Sequence, residues 1–221
     1  MIQVQVGSKK LSGIPAVLAV APLLALIAAV VVRLHARVGM LVSAGIWIAM
    51  MVYWSTPLKG ALPAQRSESI ESRKVHQRLL SAGLLLLFIP VPALTRRFLP
   101  ESAWVSVAGL AIQAAGVLVY LWARKCLGAL WSGAITIKEG HFIVASGPYR
   151  AVRHPMYTAV LAMYAGTTIV AGQYHALAGL ALAIYAYGRK IRIEEGTLVE
   201  QFGESYALYR NSTRALIPWV V

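Results

Sequence analysis

The sequence predicts an all-α fold: a multi-pass transmembrane helix bundle of about six membrane segments, the last two a helical hairpin, with a cytoplasmic C-terminal region. Three observations carry this. Of 221 residues, 58% are hydrophobic and 13% charged, against about 25% charged in a typical soluble domain. The apolar residues fall in long blocks nearly free of charge, with the charges clustered between them, which is the pattern of a chain using lipid as solvent. The net charge of +13 is gathered in the segments between apolar blocks, as expected for loops facing anionic lipid. No basic stretch lies outside a membrane context, so no nucleic-acid partner is expected.

The first span is expected from about Ser12 to Val32. Ala19-Val20-Ala21 looks like a cleavage site, but Pro22 follows it and the apolar run continues, so the segment reads as a span and not as a removable signal. After the basic turn Arg33 to Arg37, a second span runs from about Val38 to Trp54, with Tyr53 and Trp54 placed as interfacial anchors. Residues 55–78 form a polar linker, and a third span covers about Leu79 to Leu94. A fourth runs from about Ala103 to Ala123 and stops at Arg124-Lys125. From Leu127 to Pro155 the chain is rich in glycine, aromatic and basic residues. The apolar stretch Met156 to Gly188 would be some 50 Å long as one helix, too long for about 30 Å of hydrocarbon. Gly172-Gln173-Tyr174-His175 therefore reads as the turn of a hairpin. A separate amphipathic helix is expected from Arg189 to about Asn211. Two regions follow: 1–125, N-terminal transmembrane helices and polar linker, and 126–221, where the chemistry lies.

Orientation follows from basic residues. With the N-terminus inside, 17 of the 21 Lys and Arg lie on one side and 4 on the other, which puts both termini and the glycine-rich segment in the cytoplasm. The protein is expected in the membrane, the inner membrane if the source is a prokaryote. The lone Cys126 can form no internal disulfide, and no Cys/His cluster offers a metal site. No GxGxxG, P-loop or HExxH is present either.

The densest reactive set is Lys138-Glu139-Gly140-His141 and Gly147 to Tyr157. Pro155 suits the first position of a helix. Arg153 and His154 then sit at its N-terminus, where free N–H groups and the macrodipole favour an anion. Tyr157 shares a face with His154, and Gly147-Pro148 allows a turn that folds Tyr149 over a ligand. By physics alone a basic loop touching lipid phosphates is an equal reading. In the second cluster, Arg189 to Glu195, two carboxylates follow a membrane span, where they are costly unless paired or functional; Lys190 and Glu194 at i, i+4 also suit a plain helix ion pair. Phe202, Tyr206 and Tyr209 at helical spacing read as packing against the membrane face.

The run Gly147-Pro148-Tyr149-Arg150-Ala151-Val152-Arg153-His154-Pro155-Met156-Tyr157, followed after a hydrophobic hairpin by Glu194-Glu195, resembles the isoprenylcysteine carboxyl methyltransferase family. The wider group includes phospholipid methyltransferases. The resemblance covers about Leu127 to Pro218 and departs from the pattern at Ala159, where the family usually has glycine. It implies an integral membrane methyltransferase with S-adenosyl-L-methionine bound in a non-Rossmann pocket. By that resemblance His141, Phe142, Ile143, Val144, Tyr149, His154, Pro155, Met156, Tyr157 and Glu194 would line the cofactor, and Lys190, in place of a usual arginine, would stand near the methyl acceptor.

The expected reaction is methyl transfer to a hydrophobic, lipid-like acceptor entering from the bilayer between the hairpin and the fourth span. A carboxylate acceptor needs only a cation to place it, Lys190 or Arg153. An amine or thiol must lose a proton, to which Glu195 or Tyr149 could contribute. Two other readings stay open: an NADPH-dependent enzyme similar to membrane sterol reductases, which share a Gly-Pro-Tyr…Arg-His-Pro-x-Tyr segment, and a non-enzymatic lipid-binding or transport protein.

Overall fold

The structure, a computed structural model, describes residues 37–56 and 62–218. It is mostly helical. The chain order is α1 (Arg37–Ser55), β1 (Ala64–Ser67), α2 (Ile70–Phe88), α3 (Ala103–Leu127), β2 (Thr136–Lys138), α4 (Pro155–Ala171), α5 (Tyr174–Phe202) and α6 (Glu204–Ser212). Short 3₁₀ turns lie at Pro92–Leu94, Gly128–Leu130 and Gly147–Arg150. The first expected span, Ser12 to Val32, lies outside the described residues.

Among the described residues two helices are long and apolar enough to cross a membrane, Arg37–Ser55 and Ala103–Leu130. Their outer faces carry large apolar side chains open to the surroundings, among them Leu41, Ile48, Trp104 and Leu118. A water-soluble surface does not gather such a patch. α4 is apolar but shorter, with 17 residues, and α2 is apolar only in its second half, after Arg78.

With no hydrophobic force between helices in lipid, close approach depends on small residues. Gly109 of α3 faces Gly166 of α4, and a Cβ on Gly109 would sit 2.6 Å from the Gly166 carbonyl oxygen. One turn pair further along, a Cβ on Gly116 would sit 2.6 Å from the oxygen of Ala159. Gly83 of α2 opposes Gly179 of α5 in the same way, at 2.8 Å. Buried polar groups join the helices between these contacts: Ser43 and Thr167 hydroxyls are 2.9 Å apart, Trp47 donates to Thr167 Oγ1 at 3.0 Å, and Gln113 donates to the Ser43 carbonyl at 3.2 Å. Arg124, almost fully buried, closes the end of α1 by donating to the carbonyls of Tyr53 and Thr56 while its guanidinium lies over the Tyr53 and Trp131 rings.

α4 starts at Pro155 as expected and ends at Gly172, whose φ of +62° gives the left-handed cap that glycine tolerates. The hairpin turn is tighter than Gly172 to His175, since α5 already begins at Tyr174. Two expectations are corrected. The helix predicted from Arg189 is not separate: α5 continues unbroken through Gly188 to Phe202, because the change from apolar to charged residues there marks a solvent boundary and carries no helix-breaking signal. Its 29 residues span about 44 Å, so the charged end stands beyond the apolar part. The fold is not purely helical, because β1 from the linker pairs antiparallel with β2, Arg66 opposite Ile137. Tyr53 and Trp54 stand at the end of α1, half-buried, where Tyr53 meets Arg124 and the Trp54 indole donates to the Tyr120 hydroxyl.

Candidate functional site

The open end of the α4–α5 hairpin, the β2 segment and α6 enclose a cavity of about 390 Å³. One face of α5 lines it at helical spacing: Tyr187, Lys190, Glu194, Leu198 and Phe202. Opposite stand Met156, Tyr157 and Val160 of α4 with His154 at its start. His141, Phe142, Ile143, Val144 and Tyr149 line it from the irregular segment, and Arg153 borders it. Pro155 is buried at the helix start but is not among the lining residues.

Two side chains link the hairpin arms at the cavity wall. The Tyr157 hydroxyl donates to Glu194 Oε2 at 2.6 Å, and the His154 ring stacks on Tyr157 with 4° between planes. His154 lies between both carboxylates, its Nδ1 3.6 Å from Glu194 and its Nε2 3.2 Å from Glu195. Lys190 donates to the Gly133 carbonyl at 3.1 Å and sits 5.4 Å from the Tyr157 ring centre. Burial lowers its pKa, opposed by the charges of Glu194 and Glu68. His141 Nδ1 accepts from the backbone N–H of Lys138 at 3.3 Å, and its ring packs edge-on to Phe202. Burial lowers the pKa of this ring too, against the pull of Glu194.

Glu195 is turned away from the cavity by the fold. Adjacent helical residues point about 100° apart, so Glu194 and Glu195 cannot share the cavity. Arg153 Nε donates to Glu195 at 2.8 Å, and Arg210 Nε lies 3.5 Å from its other oxygen. Burial pushes the Glu195 carboxyl up, but the hydrogen bonds and charges of His154 and Arg153 outweigh it and hold the pKa at about 2. Arg153 is equally committed: besides Glu195, its Nη1 donates to the Arg210 and Thr213 carbonyls. The Tyr149 hydroxyl is pushed well above its ordinary value by burial and by Glu194, and its carbonyl accepts from the Tyr209 hydroxyl.

Two N–H groups just before the start of α4 have partners in the C-terminal segment. Arg153 N–H donates to the Arg214 carbonyl at 2.7 Å, His154 N–H to that of Ala215 at 3.0 Å, and Pro155 has none. The C-terminal segment is thereby tied to the start of α4. The aromatic stripe Phe202, Tyr206 and Tyr209 is corrected as well: it roofs the cavity instead of facing lipid. Trp54, His76, Gln77 and Leu80 also reach the cavity, from α1 and α2. Only the i, i+4 pairing of His76 with Leu80 on a helix could have suggested them from sequence.

Residues 108–200 match the model of the "Isoprenylcysteine carboxyl methyltransferase (ICMT) family". Protein-S-isoprenylcysteine O-methyltransferase of Xenopus laevis is 27% identical over 174 residues, 76% of this chain and 60% of that protein. Protein-S-isoprenylcysteine O-methyltransferase A of Arabidopsis thaliana is 29% identical over 55% of this chain and 64% of its own length. Methanethiol S-methyltransferase 1 of Bradyrhizobium diazoefficiens is 36% identical over a shorter stretch, 32% of this chain and 24% of that protein. The chain thus spans less than two thirds of the length of these relatives. The matched segment, residues 108–200, carries α4, most of α5 and the residues that join them at the cavity, so the similarity to the isoprenylcysteine carboxyl methyltransferase family falls on the part of the chain that builds the site.

Proposed function

We propose that the protein is an integral membrane methyltransferase that uses S-adenosyl-L-methionine to methylate a hydrophobic acceptor at the cytoplasmic membrane surface. The observation that carries this reading is the 2.6 Å contact between Tyr157 and Glu194, which joins the Arg-His-Pro-x-Tyr segment to the acidic pair across one cavity. The family and its named relatives supply the methyl-transfer chemistry.

The donor set suits this cofactor. Glu194 offers a carboxylate to ammonium, ribose or sulfonium groups. The Tyr206 and Thr136 hydroxyls are buried at the cavity without a protein partner among the described residues, so a polar ligand would relieve an unmade hydrogen bond. His141, Phe142, Ile143, Val144 and Tyr149 would enclose one side, with His154, Met156 and Tyr157 opposite. When bound, the cofactor supplies an already activated methyl group. The chain's contribution is then position and exclusion of water, worth about 7–11 kcal/mol in well-oriented cases.

Roles among the other named residues divide by geometry. Lys190 is the cation directed at the acceptor's end of the cavity. Arg153 and Glu195 hold His154 in register and do not touch the reacting groups. The acceptor enters from the bilayer along the apolar wall of Leu80, Tyr120, Met156 and Val160. The excess of basic residues on one side of the spans supports a cytoplasmic site with both termini on that side.

Calorimetry in detergent tests the reading. S-adenosylhomocysteine should bind the wild-type protein, NADPH should not, and His154→Ala and Glu194→Ala should each abolish binding while the helical circular dichroism stays unchanged. Binding of NADPH alone would replace the transferase with a reductase, and retained binding in both variants would put the pocket elsewhere.

A further inference from the structure

Two walls of the cavity have different origins. Lys190, Glu194, His154 and Tyr157 come from the segment matched by the family, whereas His76, Gln77 and Leu80 come from α2, which lies before residue 108. His76 is the one acid–base group on that second wall. It is 6% exposed and lies ahead of the apolar half of its helix. Its Nδ1 is 3.3 Å from the Ala186 carbonyl of α5, and its ring packs edge-on to Tyr187. A carbonyl oxygen only accepts, so Nδ1 carries the hydrogen, and in the neutral ring Nε2 is a bare lone pair. Among the described residues no protein group donates to that Nε2.

The ring is neutral at pH 7. Burial, aided by the charge of Lys190, lowers its pKa to about 4, with Arg189 a smaller contributor and the Ala186 bond opposing. Lys190 and Arg189 from α5 are the charges that face it, with Tyr187 beside them. A neutral lone pair and an ammonium on one cavity make a specific demand. A carboxylate is already ionised and gains nothing from a proton acceptor, whose lone pair repels it. An amine becomes a cation on methylation, which Lys190 opposes. A thiol fits both groups: it gives up a proton, and its conjugate base is an anion that Lys190 stabilises.

We propose that His76 Nε2 receives the proton of the methyl acceptor, and that the acceptor is a thiol on an apolar chain. This rests on the methyltransferase reading above. In the step, the S–H bond breaks and its proton passes to His76 Nε2. The acceptor sulfur forms the new S–CH₃ bond, and the cleaved carbon–sulfonium bond leaves its electron pair on the departing S-adenosylhomocysteine. The product is a thioether, and the imidazolium returns its proton to water.

The test uses labelled methyl transfer in detergent, with 1-octanethiol and octanoate as probes, beside S-adenosylhomocysteine calorimetry. Wild type should methylate octanethiol at least tenfold faster than octanoate. His76→Leu should lower kcat on octanethiol by about 10²-fold or more at pH 7, with S-adenosylhomocysteine affinity within twofold of wild type. His76→Gln, which can still donate to the Ala186 carbonyl but has no basic nitrogen, should behave the same. A simple alkanethiol has a pKa above the ordinary cysteine value of about 8.5, so as pH is raised toward about 11 it ionises increasingly without a base, and both defects should shrink progressively. A preference for octanoate, full thiol transfer by the variants at pH 7, or a defect constant with pH would overturn the proposal. If wild type binds no S-adenosylhomocysteine, the methyltransferase reading falls and this inference with it; if it binds but methylates no thiol, this inference alone falls.

Discussion

Glu195→Gln separates support of the site from chemistry within it. The carboxylate collects Arg153 at 2.8 Å, His154 at 3.2 Å and Arg210 at 3.5 Å. The Arg153 and Glu195 side chains are only 9% and 11% exposed. Breaking a buried ion pair by removing one partner costs about 3–5 kcal/mol. Glutamine keeps a hydrogen-bond acceptor, and Arg210 is half exposed, so its share is screened. The expected loss is about 2–3 kcal/mol, or roughly 4–12 °C in Tm for a chain of this size. Thermal unfolding in detergent at pH 7 reads it directly.

The pH dependence fixes the sign. The folded carboxyl sits at about 2 against an ordinary 4.5, so its contribution is complete above about 4.5 and is lost as pH falls toward 2. The Tm gap between wild type and variant should therefore be full at pH 7 and narrow from pH 4.5 downward. Cofactor affinity should weaken several-fold, because His154 loses its anchor, but should not vanish. A gap under 1 °C at pH 7, or one that widens on acidification, would refute the assignment of Glu195 to scaffolding.

Two further outcomes test the frame. Gly116→Leu would drive a side chain into the Ala159 carbonyl, 2.6 Å from the Cβ position, and should cost about 3 kcal/mol or more; Gly45→Ala, with open space around it, should instead be neutral or stabilise by about 0.5–1 kcal/mol, both read as Tm. Arg124→Met removes two hydrogen bonds and two ring contacts at about 2–3 kcal/mol in sum, and should appear as faster hydrogen exchange in the last turn of α1, Tyr53 to Thr56.

The helices were legible where lipid imposes length. An apolar block bounded by charge gives α1 and α3, and Pro155 and Gly172 give both ends of α4, because proline and glycine act on the backbone wherever they stand. The end of α5 was not legible from composition, since charge marks where the solvent changes and the helix is indifferent to it. β1 and β2 escaped notice because strands of four and three residues carry too little alternation and depend on a partner some seventy positions away. Within the site, Lys190 and Glu194 share a face by spacing alone. The same spacing sends Glu195 to the far side, a consequence contained in the pairing of two adjacent acids. Arg153 could not be judged from sequence: its partners Arg210 and Thr213 come from a tail that only the fold brings back.

The reach of α2 into the cavity has a consequence for acceptor choice. The Tyr157–Glu194 link depends on α4 and α5, whereas the place of His76 depends on α2 lying close to α5. That approach is fixed by Gly83 against Gly179, where either Cβ would meet the opposing backbone. The two walls are thus set by separate helix contacts, one inside the family segment and one involving a helix outside it. A change along α2 can alter the second wall of the cavity while the Tyr157–Glu194 contact of the hairpin stays in place. A larger residue at Gly83 would move His76 and its lone pair away from Lys190 without touching His154 or Glu194, so thiol transfer would fall while nucleotide affinity held. Loss of both together would mean that the cavity is one mechanical unit and that acceptor and cofactor recognition cannot vary apart.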